Sequence, residues 1–169
     1  MTESVLQIRG LCAGYGNRQV LSGVDGGESI VTAPQRAKRL LGFAHAPDRL
    51  PGLLTGRQCL EVYAAARGLT AVGDEILDLA ERFQRTRYLE QFVDTYSLGA
   101  RQKLSALLAL IGDPSLVVLD EAFNGLDPAS ALVLKRDRQN RVAAGKCAVL
   151  LATHALISSC TTRPLPRSF

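Results

Sequence analysis

Two carboxylates in succession, Asp120 and Glu121, close a run of four apolar residues from Leu116 to Leu119. Such a run predicts a buried parallel strand, and carboxylates at its C-terminal edge stand where open α/β sheets bind ligands. Asn124-Gly125-Leu126-Asp127-Pro128 follows, with Asp127 placed to cap a helix that Pro128 begins. Upstream, Tyr96-Ser97-Leu98-Gly99 opens a helical stretch predicted to run to Ile111. Ser97 caps it, and a small hydroxyl residue with a glycine at a helix start leaves N–H groups and the positive end of the dipole open to an anion. Downstream, an apolar strand from Cys147 to Thr153 precedes His154. Taken singly, each feature has a plain structural explanation: a capped helix, an Asp-Glu after a strand, a histidine after a strand.

Their order gives them more weight. YSLGARQKL from Tyr96 to Leu104, LVVLDEAFNGLDP from Leu116 to Pro128 and LLATHAL from Leu150 to Leu156 together resemble the distal half of an ATP-binding cassette (ABC) ATPase, the nucleotide-driven engine of membrane transporters. The resemblance implies an α/β fold of the phosphate-loop NTPase type, a mostly parallel sheet with a helical subdomain, here truncated. It implies ATP and Mg²⁺ as cofactors. Ser97 and Gly99 would face the γ-phosphate of ATP held by the opposite subunit, in a loop that the family writes L-S-G-G-Q. Asp120 would orient the Mg²⁺ shell and Glu121 would polarise the attacking water. Asp127 would lie in the loop crossing the dimer interface, and His154 would contact the γ-phosphate as the switch. Tyr15 falls where the family places an aromatic that stacks on adenine; a tyrosine packed on its own hairpin explains it equally well.

The resemblance also exposes a gap. Nowhere between Met1 and Tyr96 is there a G-x-x-x-x-G-K-[ST] loop, whose backbone N–H groups and Lys hold the β- and γ-phosphates. RQVLSGVD resembles the lead-in to that loop, whereas GGESIVTAPQRAKRLLGFAHAPDRLPGLLTG resembles a stretch well beyond it, so a deletion of roughly 30 or more residues is placed near Asp25 to Gly27. The expected domain is thus an incomplete cassette over 1–156, with 157–169 an unrelated, disordered tail. Gly145-Lys146-Cys147 is no substitute loop, since no Ser or Thr follows the Lys; Gly145 reads as a helix C-terminus. At GFAHAPDRLP the family carries its glutamine loop, but no Gln stands there, and His45 reads as an exposed loop histidine.

The remaining elements are those that position these residues. Val5 to Ile8 and Gln19 to Leu21 read as strands about a turn at Gly14, Gly16 and Asn17. Thr55 and Gln58 form a capping box opening a helix through about Ala66, and Asp74 to Phe83 is a second helix of the helical subdomain.

Composition suits one globular domain: 169 residues, 47% hydrophobic and 21% charged. The net charge of +4 comes from scattered basic residues, including Arg82, Lys135, Arg136 and Arg138, read as solvated faces. With 5% aromatics and no Trp there is no stacking platform, so no nucleic-acid partner is expected. Cys12, Cys59, Cys147 and Cys160 form no CxxC pair and read as reduced thiols. MTESVLQIRG is too polar for a signal peptide, and no apolar run approaches the about 20 residues that span a bilayer. The expected place is therefore cytoplasmic; the resemblance implies a seat peripheral to the inner or plasma membrane through a membrane-spanning transporter subunit, with a second ABC ATPase subunit as dimer partner. Three functions compete: the ATPase subunit of an ABC transporter, impaired by the missing loop; an inactive module lending its signature motif to an intact subunit; and a soluble family member acting on ribosomes or DNA, ranked last for want of a second cassette or a basic arm.

Overall fold

A computed structural model describes residues 34–152 other than 85 and 146, together with the backbone of Gly14–Tyr15 and Arg18–Gln19. Val5 to Ile8, the junction at Asp25 to Gly27, His154 and the tail at 157–169 lie outside the described residues.

Among the described residues three parallel strands form one sheet: β3 (Leu41–Ala44), β4 (Leu116–Asp120) and β5 (Ala148–Ala152), in the order β3-β4-β5. Leu41 pairs with Leu116 on one side of β4 and Ala148 with Leu116 on the other, and the register holds to Asp120 beside Ala152. Val117 and Leu119 are buried in the central strand, as its apolar run predicts. The connections are helical: α2 (Gly56–Ala66), α3 (Asp74–Arg82) and α4 (Leu98–Leu110) lie between β3 and β4, and α5 (Pro128–Ala143) between β4 and β5. A short helix, α1 (Pro34–Leu40), precedes β3 and buries no residue, so no apolar stripe announced it. The amino-terminal pair β1 (Gly14–Tyr15) and β2 (Arg18–Gln19) is antiparallel, with Tyr15 opposite Arg18. Gly14 is thus part of the ladder rather than of the turn to which its residue type pointed.

Local chemistry explains the helix starts. At α2 the capping box forms on both sides, the Thr55 Oγ1 accepting from the Gln58 amide at 3.2 Å and the Gln58 Oε1 accepting from the Thr55 amide at 2.9 Å. Along α3, Ile76, Leu79, Ala80 and then Phe83 are buried at helical spacing and turn one face to the interior. The central helix α4 is apolar almost all round and buries every residue from Leu104 to Leu110. It lies between the sheet and the helical layer, with contacts to β3 and β4 on one side and to α2 and α3 on the other. Gly42 lets β3 approach it, because a Cβ there would collide with the Ala109 carbonyl.

Among the described residues β5 pairs only with β4. The Ala148 amide donates to the Ser115 carbonyl at 2.8 Å, so by the alternation of a strand the amides of Val149 and Leu151 face away from β4. Those two amides are expected to exchange at least about tenfold faster than those of Val117 and Leu119. Hydrogen exchange on a verified monomer checks this, and equal protection would mean that another part of the chain covers the edge.

Candidate functional site

The chain leaves β4 through a tight turn. Asp120 is exposed at the strand's last position, and Glu121 adopts a left-handed backbone with φ of 49°. A non-glycine residue held there carries local strain, of a kind that concentrates at functional sites. The Asn124 side chain fixes the carboxylate by donating from Nδ2 to Glu121 Oε2, while its amide donates to the Glu121 carbonyl at 2.9 Å. Gly125 follows at φ of 76°, and Asp127 then caps α5. Its Oδ1 accepts from the Ser130 amide at 2.8 Å and its Oδ2 from the Ser130 hydroxyl at 2.8 Å. The same Oδ2 accepts from Lys103 Nζ at 2.6 Å. These donors, Lys103 first, hold the Asp127 carboxyl well below the usual carboxylate range.

The start of α4 lies against this turn. Ser97 Oγ accepts from the Ala100 amide at 3.3 Å, the expected cap. A Cβ added at Gly99 would stand 2.5 Å from the Gly125 carbonyl oxygen, so only glycine permits this approach. Leu98, 62% exposed, lays its side chain over Gly125. Ser97, Gly99, Asp120, Glu121 and Asp127, separate in sequence, therefore belong to one pair of adjoining loops beside the C-terminal end of β4. Of the other predicted site residues, Tyr15 is seen only as backbone in β1, and His154 follows β5 outside the described residues.

Donors for a metal are few. No group of three or more His, Cys, Asp or Glu among the described residues is arranged to hold an ion. Asp120 and Glu121 offer two adjacent carboxylates and do not enclose a cation, and the chain's sequence lacks the phosphate loop that would complete a Mg-nucleotide site. The described residues do not by themselves fit a bound Mg-ATP.

Over 132 residues the chain is 34% identical to ATP-binding cassette sub-family A member 7 of Rattus norvegicus, a match covering 77% of this chain and 6% of that protein. It is 36% identical over 134 residues to the human retinal-specific phospholipid-transporting ATPase ABCA4, again 77% of this chain and 6% of the relative. The chain belongs to the ATP-binding cassette family. No protein-family model matches it. Cassettes of known structure share its fold: an ATP-binding subunit of an ABC transporter superposes with a TM-score of 0.67 at 23% identity, covering 89% of this chain and 79% of that one. A dimeric post-hydrolysis cassette bound to ADP and Pi gives a TM-score of 0.63 at 17% identity, covering 84% and 62%. The chain spans 6% of the length of the sub-family A relatives named here.

Two expectations for this cassette need correction. His45 is half-buried, its ring edge-on to Phe43 and Tyr63, and its carbonyl accepts from Ser105 of α4 at 2.6 Å; it is a packing residue and not an exposed loop histidine. Arg138 is buried with its guanidinium 5.8 Å above the Phe123 ring, and Arg82 pairs with Asp137 at 3.6 Å, so the basic residues are not all solvated faces. Lys103 and Asn124 carry much of the site's order, though the sequence motifs that contain them suggest no role for either. A signal for Lys103 existed: it stands four residues after Gly99, on the same face of α4. Nothing in the spacing of Asn124 marks its contact with Glu121, which depends on the turn between them.

Proposed function

We propose that this chain is a nucleotide-binding module of an ABC transporter that acts in trans. It offers Ser97, Gly99 and the loop to Asp127 to ATP held by a second cassette, while a membrane-spanning partner converts the resulting closure into solute movement. The observation that carries this is the joining of the α4 start to the 124–127 loop, with Gly99 seated on the Gly125 carbonyl. A helix N-terminus presented beside a rigid loop suits a phosphate brought by another subunit. Hydrolysis on the chain's own account is not part of the proposal, because phosphoryl transfer depends on positioning and charge stabilisation that the missing Lys, Ser/Thr and backbone nest supply. No helix among the described residues is long and apolar enough to cross a membrane, in keeping with attachment through a partner.

The chain alone is expected to bind Mg-ATP no more tightly than about 1 mM, since stacking on one aromatic contributes on the order of 1–3 kcal/mol. Calorimetry measures this, and a micromolar Kd would show that a phosphate cradle exists after all. The trans role is tested by complementation. A copy of the chain repaired with a relative's strand, loop and helix at 25–27, and carrying Ser97→Arg, has a phosphate loop without a working signature. Adding the unmodified chain is expected to raise its ATP turnover at least about tenfold. Failure of the unmodified chain to stimulate a repaired copy that binds ATP would overturn the proposal.

A further inference from the structure

We propose that Lys103 is a positioning residue that locks the start of α4 and the loop 124–127 into one rigid element, so that both present to a partner's nucleotide together. The positioning role rests on the trans function proposed above; the lock itself does not. Lys103 is 3% exposed, a burial that a lysine rarely tolerates unless its charge is paired. Its Nζ reaches across from the second turn of α4 to Asp127 Oδ2 at 2.6 Å, spanning 24 positions of sequence. Asp127 is at once the cap of α5, so the bond joins two helix beginnings. A second contact lies on the same face of α4 one turn earlier, where Gly99 meets the Gly125 carbonyl and Leu98 covers Gly125. Two fixed points a helical turn apart prevent the loop from pivoting on either one. With Lys103 removed, the Gly99 contact alone would act as a hinge, and the loop would lose its angle to the α4 axis while Asp127 kept its cap on Ser130.

Lys103→Met keeps the length and apolar stem but removes the charge, and Lys103→Arg keeps the charge. Hydrogen exchange on the full chain, without ligand, reads the lock directly. In Lys103→Met the amides of Ala100 and Arg101 and of Leu126, which donate to Ser97 and Phe123, are expected to exchange about tenfold faster together, those of Val117 and Leu119 to stay unchanged, and Lys103→Arg to restore both sets. A uniform rise across the chain, or a rise on one side of the lock only, overturns it. In the complementation assay Lys103→Met is expected to stimulate about tenfold less than the unmodified chain, with Lys103→Arg again restoring it. If exchange changes as stated but Lys103→Met stimulates fully, the positioning role is wrong and Lys103 is a structural tie. If the unmodified chain itself stimulates nothing, the trans function falls, and the positioning role with it, while the exchange data still decide the lock.

Discussion

Glu121→Gln is expected to lower ATP turnover at least 100-fold in a copy of the chain repaired at 25–27, with its affinity for ATP essentially unchanged; removal of a general base costs roughly 10²–10⁴ in rate. The geometry isolates the charge as the cause. Glu121 sits at the carboxyl end of β4 in a left-handed conformation, and the Asn124 amide group donates to its Oε2. A glutamine has the same shape and offers that donor a carbonyl oxygen, so the turn from 121 to 124 should survive. What it lacks is the capacity to draw a proton from an attacking water. Steady-state hydrolysis and equilibrium ATP binding on the same samples separate the two effects. Retained turnover in Glu121→Gln would remove Glu121 from the chemistry. If the repaired copy binds ATP and fails to turn over even with Glu121 present, the fault lies elsewhere, and the loop of His45 to Asp48, which has no glutamine, becomes the place to look.

The second large effect is on stability. Arg141 is 7% exposed and holds three carboxylates: Asp137 at 2.8 Å through Nε, Asp113 at 2.8 Å through Nη1 and Glu75 at 3.3 Å through Nη2. These come from α5 itself, from the turn before β4 and from the first turn of α3, so one guanidinium ties three elements. Arg141→Met would leave Asp137 nearly buried, with only the longer contact to Arg82, and is expected to cost about 3–5 kcal/mol. A urea midpoint at constant slope measures it. Arg141→Met with Asp137→Leu should recover much of the loss, because replacing a buried ion pair by apolar residues is often close to neutral. A loss below about 1 kcal/mol in the single variant would show that the cluster is screened by solvent and contributes little.

Much of the framework follows from local sequence because its causes are local. The capping box of Thr55 and Gln58, the cap of Ser97 and the pairing of Asp127 with Pro128 each need only residues within one turn, and all three helices begin where those residues stand. The apolar runs before Asp120 and after Cys147 likewise became strands, β5 starting one residue later than expected. Gly145 ends α5 with φ of 68°, as a glycine after a helix does. The amino-terminal hairpin was less legible, since two residues per strand give no period to read.

By itself, then, the sequence determined which residue types stand at which element ends: carboxylates at the end of β4, a hydroxyl and a glycine at the start of α4, a capping aspartate at the start of α5. It also determined that no phosphate loop stands among them. Only the tertiary structure decided that the two loops share one contact, through Gly99 on Gly125 and Lys103 on Asp127. The same holds for the left-handed turn at Glu121, the packing of His45, the burial of Lys103 and Arg138, and the gathering of three carboxylates on Arg141. The physical reason is range. A cap or a strand is stabilised by neighbours in the chain, whereas a buried cation is tolerated only where folding brings distant carboxylates, aromatic faces or carbonyls within reach, and no spacing along the chain encodes that distance.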